Sequence, residues 1–103
     1  MAQTIQIETP DIGERQAMVV PSVGGALLLV RTKTRIHACS AVCPHQNRSL
    51  KEAIVRGESI ICPWHGALFD LSDGRSLSAM TTNALTVFPC EEIDGSLRIT
   101  LAD

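Results

Sequence analysis

The chain has 103 residues, room for one small domain, and this excludes a multidomain enzyme. Hydrophobic residues make up 45% and charged residues 19%, a balance that folds rather than remaining disordered. Nine Lys and Arg against eleven Asp and Glu leave a formal charge of −2, with no basic excess to neutralise a phosphate backbone or an anionic membrane surface, so no nucleic-acid partner is expected.

The longest apolar run, glycines included, is the eight residues Val23 to Val30, whereas a membrane-spanning helix needs about 20. No membrane anchor is therefore expected. The start, MAQTIQIETPD, lacks a cationic segment followed by an apolar one, so a cytoplasmic location is expected.

Turn formers recur at Pro10, Gly13, Pro21, Gly24-Gly25, Gly57, Asp73-Gly74, Pro89 and Asp94-Gly95, leaving segments too short for ordinary helices. The stretches between them are rich in Val, Ile, Leu and Thr. They predict strands at Thr4 to Glu8, Ala17 to Pro21, Ala26 to Arg31, Arg35 to Ala38, Glu58 to Ile61, Ala67 to Leu71, Leu85 to Pro89 and Ser96 to Leu101. An all-β antiparallel domain follows. Leu50 to Val55 alone is predicted as a short helical turn, capped by Ser49 and stopped by Gly57. Asp94-Gly95 predicts the hairpin joining the last two strands, because such a turn needs positive φ. Residues 59 to 103 hold six acids and two bases, which a solvated face explains more simply than a docking surface for a cationic partner.

Two Phe, one Trp and no Tyr make a core of small aliphatic side chains, and a domain of this kind gains from a staple. Four cysteines (Cys39, Cys43, Cys62, Cys90) and three histidines (His37, His45, His65) supply candidate atoms. In a reducing compartment, metal binding or plain burial is favoured over disulfides. Cys39 and Cys90 belong to no motif and read as buried thiols acting as small hydrophobes. His37, in a strand-like stretch, reads as a half-exposed strand residue.

Cys43-Pro44-His45 and Cys62-Pro63-Trp64-His65 form a different pattern, C-x-H, sixteen residues, then C-x-x-H. Residues i and i+2 of an extended loop point the same way, and a tight turn gathers i and i+3, so each half aims one thiol and one imidazole at one object. Pro44 and Pro63 stiffen the two loops, and Gly66 lets the chain leave the second turn without a side-chain clash. Two thiolates and two imidazoles suit tetrahedral zinc, although zinc knuckles usually pair like ligands. They equally suit a [2Fe–2S] cluster in which both cysteines take one iron and both histidines the other. Neutral imidazoles would make their iron the easier one to reduce.

At these residues the sequence resembles the Rieske iron–sulfur family, whose signature is written CPH and CPWHG; the likeness is closest from Cys43 to Gly74 and extends more weakly over nearly the whole chain, including the DGSLRITL ending. The resemblance implies one [2Fe–2S] cluster, with Cys43 and Cys62 on one iron and His45 and His65 on the other through Nδ1. It also implies a single domain over residues 1–103, an antiparallel β base (1–38 and 75–103) carrying a smaller cluster-binding part of two loops (about 39–74). Asn47 and Ser49 stand where many members have glycine and proline, and Asn tolerates the left-handed backbone that glycine adopts there. High-potential members carry an extra cysteine in each loop and place a Ser and a Tyr hydroxyl on the cluster sulfurs. This chain has no such cysteines, and Ala67 and Phe69 occupy the hydroxyl positions. Hydrogen bonds to sulfur favour the more negative reduced state, so a low-potential, ferredoxin-type member is expected.

After His45 and His65 only His37 remains, so the two-His, one-carboxylate iron site of an oxygenase cannot be built within the chain, and no enzymatic activity is expected. The expected role is one-electron transfer from a flavin-dependent reductase to a terminal ring-hydroxylating oxygenase, with the chain acting as a monomer. The competing readings are the small subunit of an assimilatory nitrite reductase and, from another class, a redox-silent zinc-binding module. Pro44, Gln46 and Trp64, on the loop tips beside the imidazoles, are the expected partner-docking residues.

Overall fold

A computed structural model describes residues 3–22, 25–44, 49–63, 66–78 and 83–101. Among them every element is a strand and every pairing is antiparallel. The order is β1 (Gln3–Glu8), β2 (Gln16–Ser22), β3 (Gly25–Arg31), β4 (Ile36–Ser40), β5 (Ile54–Arg56), β6 (Ser59–Ile61), β7 (Leu68–Asp70), β8 (Val87–Phe88), β9 (Cys90–Ile93) and β10 (Ser96–Leu101). They form three sheets, ordered β1-β10-β9, β2-β3-β4-β8 and β5-β6-β7. The expected all-β class is the one observed, and among the described residues no helix is long and apolar enough to cross a membrane.

The four-stranded sheet is the middle layer. Successive side chains of a strand point to opposite faces, and in β3 both faces are covered. Leu27 and Leu29 join Ile36, Ala38, Cys90, Leu97, Ile99 and Leu101 in one buried cluster against the β1-β10-β9 sheet. Leu28 and Val30 join Cys39, Val55, Ile60, Phe69, Leu71 and Leu85 in a second cluster against the β5-β6-β7 sheet. This is why the Leu27 to Val30 run shows no polar alternation.

Local turn chemistry places the ends of several strands. Asp94 (φ 50°) and Gly95 (φ 80°) fill the β9–β10 hairpin, both in the left-handed region, as expected of an Asp-Gly pair. Pro89 lies between β8, which pairs with β4, and β9, which pairs with β10. Lacking an N–H, it marks the step of the chain from the middle sheet to the outer one. The expected strand from Leu85 to Pro89 is thus shorter, and the hairpin joins β10 to a strand, Cys90–Ile93, that was not predicted.

The helical turn predicted for Leu50 to Val55 is a single turn. Ala53 N donates to Leu50 O at 2.9 Å and Lys51 N to Ser49 Oγ at 3.2 Å, and then the chain extends as β5. β-branched Ile54 and Val55 pair with Ile61 and Ile60, and burying Val55 against the second cluster outweighs one more helical turn. Gly57, predicted as a helix stop, turns the β5–β6 hairpin at φ +59°.

Candidate metal centre

The two cysteine loops are each closed at the base by backbone. Val42 bridges Ser49, and Leu50 N donates to Ala41 O at 2.7 Å, which closes the first loop. Cys62 N donates to Ala67 O at 2.7 Å just beyond the Ile61–Leu68 pair, which closes the second. Gly66 takes φ +75° on the way out, the freedom expected of it. Past β7, Asp70 N donates to Arg75 O and Gly74 N to Asp70 O, so Asp73-Gly74 closes this hairpin as the sequence suggests. The chain then runs back beside β7 through the Phe69–Ser76 bridge and the bond from Leu77 N to Leu68 O at 2.8 Å.

Cys43 and Cys62 thus stand at corresponding places, each where its loop leaves the core. Both are fully buried, and both belong to one apolar cluster with Ala41, Leu50, Ala67, Phe69, Leu71 and Leu85. Neither is in a disulfide, nor are Cys39 and Cys90. Of the other expected site residues, Pro44 is half-buried, and its carbonyl accepts a bond from Asn83 Nδ2 at 3.4 Å. His45, Gln46, Trp64 and His65 lie outside the described residues, so their expected roles have no geometry here.

Ala67 and Phe69 are fully buried beside the two cysteines and bring no hydroxyl into that cluster. Cys39 shares the cluster, and burial pushes its thiol up to about 12. Burial likewise raises Cys90 to about 11, with Arg35 pulling the other way. Thiols this hard to ionise are poor nucleophiles, and both are buried as expected. At the far end of the β7 hairpin Arg75 and Asp70 form an ion pair at 3.5 Å. Asp70 is held below the usual carboxylate value by the hydroxyl and N–H of Ser72, at 2.6 and 2.8 Å, with Arg75 adding a smaller attraction.

Sequence reasoning missed two features. One is the segment after β7, where Ser78 Oγ accepts from Leu68 N at 3.4 Å and Asn83 reaches the first loop. The other is His37, which is buried, 6% exposed, and joined to Glu58 with Nε2 at 2.8 Å from Oε1. The expectation of half-exposure failed because its partner lies 21 residues away.

A three-layered β frame that presents two cysteine loops side by side defines a class, the Rieske ferredoxin fold. A chain in the solved complex of reduced oxygenase and oxidized ferredoxin of carbazole 1,9a-dioxygenase superposes with a TM-score of 0.82 at 28% identity, covering 92% of both chains. Residues 4–89 match the Rieske [2Fe-2S] domain, and the chain belongs to that family. Membership brings one Rieske [2Fe-2S] cluster as the cofactor. Ferredoxin CarAc of Metapseudomonas resinovorans is 35% identical over 81 residues, 78% of this chain and 76% of that protein. Apoptosis-inducing factor 3 of mouse and human is 34% identical over 64 residues, and the match spans only 11% of those much longer proteins. The NADH-dependent nitrite reductase small subunit of Mycobacterium tuberculosis superposes with a TM-score of 0.85 at 18% identity over all of this chain and 98% of that one, a likeness of fold alone. The dioxygenase relatives are ferredoxin components rather than catalytic subunits.

The donor chemistry fits the cofactor. Thiolates are the ligands such clusters require, and two buried cysteines at the bases of adjacent loops can present both to one side of a group held between them.

Proposed function

We propose that the chain is a one-electron carrier that receives electrons from a flavin-dependent reductase and delivers them to a terminal ring-hydroxylating oxygenase in the cytoplasm. The observation that carries this reading is the burial of Cys43 and Cys62 in one apolar cluster at the bases of two loops. When bound, a [2Fe-2S] cluster supplies a one-electron couple. Cys43 and Cys62 hold one iron and His45 and His65 the other, within a cluster-binding part of about residues 39–74 set into the β base. Leu50, Ala67, Phe69, Leu71 and Leu85 exclude water from the two thiols and keep their surroundings of low dielectric. Ala67 and Phe69 bring no side-chain hydroxyl to the thiols, which supports a low-potential carrier.

Pro44, Gln46 and Trp64 are the residues assigned to partner docking, since a partner protein must come close to the cluster for fast electron transfer. The ferredoxin components among the relatives support the dioxygenase setting. The fold shared with a nitrite reductase small subunit favours neither setting over the other.

The test is a low-temperature electron paramagnetic resonance spectrum of anaerobically purified, dithionite-reduced protein, with spins counted against iron. A rhombic signal of low average g, near one spin per two irons, is expected. A colourless, silent, zinc-loaded protein would overturn the carrier reading in favour of a structural metal module.

A further inference from the structure

β4 and β6 lie in different sheets and share no backbone ladder, yet each leads into one of the two cysteines. β4 ends at Ser40, shortly before Cys43, and β6 ends at Ile61, directly before Cys62. Between them lies the apolar cluster of Val30, Cys39, Ile60 and Phe69. Apolar burial is non-directional and resists separation of two layers better than it resists their sliding. Hydrogen bonds, which are directional, set register.

A directional device stands at the other end of the same two strands. The side chain of Glu58, in the two-residue turn between β5 and β6, reaches the middle sheet. Its Oε1 takes His37 Nε2 of β4 at 2.8 Å, Thr32 Oγ1 at 2.9 Å and Thr34 Oγ1 at 3.1 Å, the two threonines coming from the turn that joins β3 to β4. Its backbone carbonyl accepts Leu71 N at 2.9 Å, so the end of β7 is tied to the same residue. Three polar groups, from β4 and the turn before it, therefore converge on one oxygen of the Glu58 carboxylate.

We propose that Glu58 is a positioning residue for the metal centre: gripped by His37, Thr32 and Thr34, it fixes how far β6 slides along β4, and so sets where Cys62 stands relative to Cys43. The inference rests on the carrier reading for its consequence at the metal, though not for its mechanical part. Removing the carboxylate leaves the buried imidazole of His37 without its partner and frees the slide. An amide in its place still offers an accepting oxygen, so Glu58→Gln preserves the grip that Glu58→Ala loses.

The experiment compares Glu58→Ala, Glu58→Gln and the milder, surface Thr34→Ala with the parent protein as purified. Amide hydrogen exchange is followed in residues 59–63 and 66–70 and, as an internal reference, in 96–101. Reduction potential and the reduced-state resonance spectrum are recorded on the same samples. For Glu58→Ala, exchange about tenfold faster in 59–63 and 66–70 with 96–101 unchanged is expected, together with a broadened spectrum and a displaced potential. Glu58→Gln should stay within about threefold of the parent, and Thr34→Ala should fall between the two. Equal acceleration in all segments, which is plain loss of global stability, would overturn the proposal, as would no change in exchange or spectrum. Should Glu58→Ala fail to fold, the local or uniform character of the Thr34→Ala change decides the matter. A parent protein without a cluster signal would sink the carrier reading, and the exchange comparison would still decide for or against the grip.

Discussion

The two outer sheets are built on different principles. The β1-β10-β9 sheet rests on long ladders, with six-residue β1 paired along its whole length with six-residue β10. The β5-β6-β7 sheet is made of three-residue strands. So few ladder bonds cannot define such a sheet alone, and small sheets of this size depend on a packed face. Its order comes from burial of Val55, Ile60 and Phe69 against the middle layer, from side-chain bonds at its turns, and from the backbone closures of the loop. The lesson is that the frame has long backbone ladders to specify it, whereas the small sheet that carries Cys62 depends heavily on side-chain packing and side-chain bonds. The latter can therefore be retuned by single substitutions without touching the frame.

The strongest test of that contrast deletes one large side chain on each side of the middle layer. Phe69→Ala and Leu97→Ala each remove a fully buried group and should each lower stability by about 2–5 kcal/mol in denaturant melts. Only Phe69→Ala should also shed iron, measured as metal retained per chain after dialysis, since only Phe69 shares a cluster with Cys43 and Cys62. Equal iron loss from both variants would erase the distinction.

A finer change leaves the packing nearly intact. Ala67→Ser with Phe69→Tyr restores two hydroxyls beside the thiols and should raise the reduction potential by tens of millivolts, about 1 kcal/mol for each hydrogen bond made. A redox titration with unchanged ligation and no rise would mean that neither hydroxyl reaches a sulfur.

The smallest effect is that of acid. Partial burial opposes ionisation of Glu58, but the bonds from His37, Thr32 and Thr34 outweigh it, so its carboxyl lies below the usual value near 4.5. The carboxyl of Asp70 also lies low, held by Ser72 and Arg75. Below that range the unfolded chain binds protons that the folded chain refuses, so this stabilisation is complete above about pH 4.5 and fades as pH falls through the folded values. Amide protection in 59–63 and 66–70 should therefore fail at higher pH than protection in 96–101. Simultaneous failure would mean that the carboxylates serve both regions alike.

What the sequence disclosed divides along the same line. Asp94-Gly95 dictates its own turn, and alternation along Ser96 to Leu101 dictates its own face, so the frame could be read locally. The cysteine spacing could be read too, because the two thiol positions are fixed by adjacent prolines and closing turns. The strand at Ile54–Arg56 could not, since its three residues extend only because Ser59–Ile61 is there to pair with them. Nor could the burial of His37, which depends on a carboxylate brought across from another sheet. The Leu27 to Val30 run is unbroken because it is the seam between two cores.

The β1–β10 ladder sets Gln3 opposite Leu101, so the first and last strands lie side by side in one sheet. A domain whose first strand starts beside the end of its last can hang from a larger protein by a single stem or be spliced into a loop without being pulled open. Here the structure offers a portable module, one that selection or an engineer can graft by matching two neighbouring strand ends.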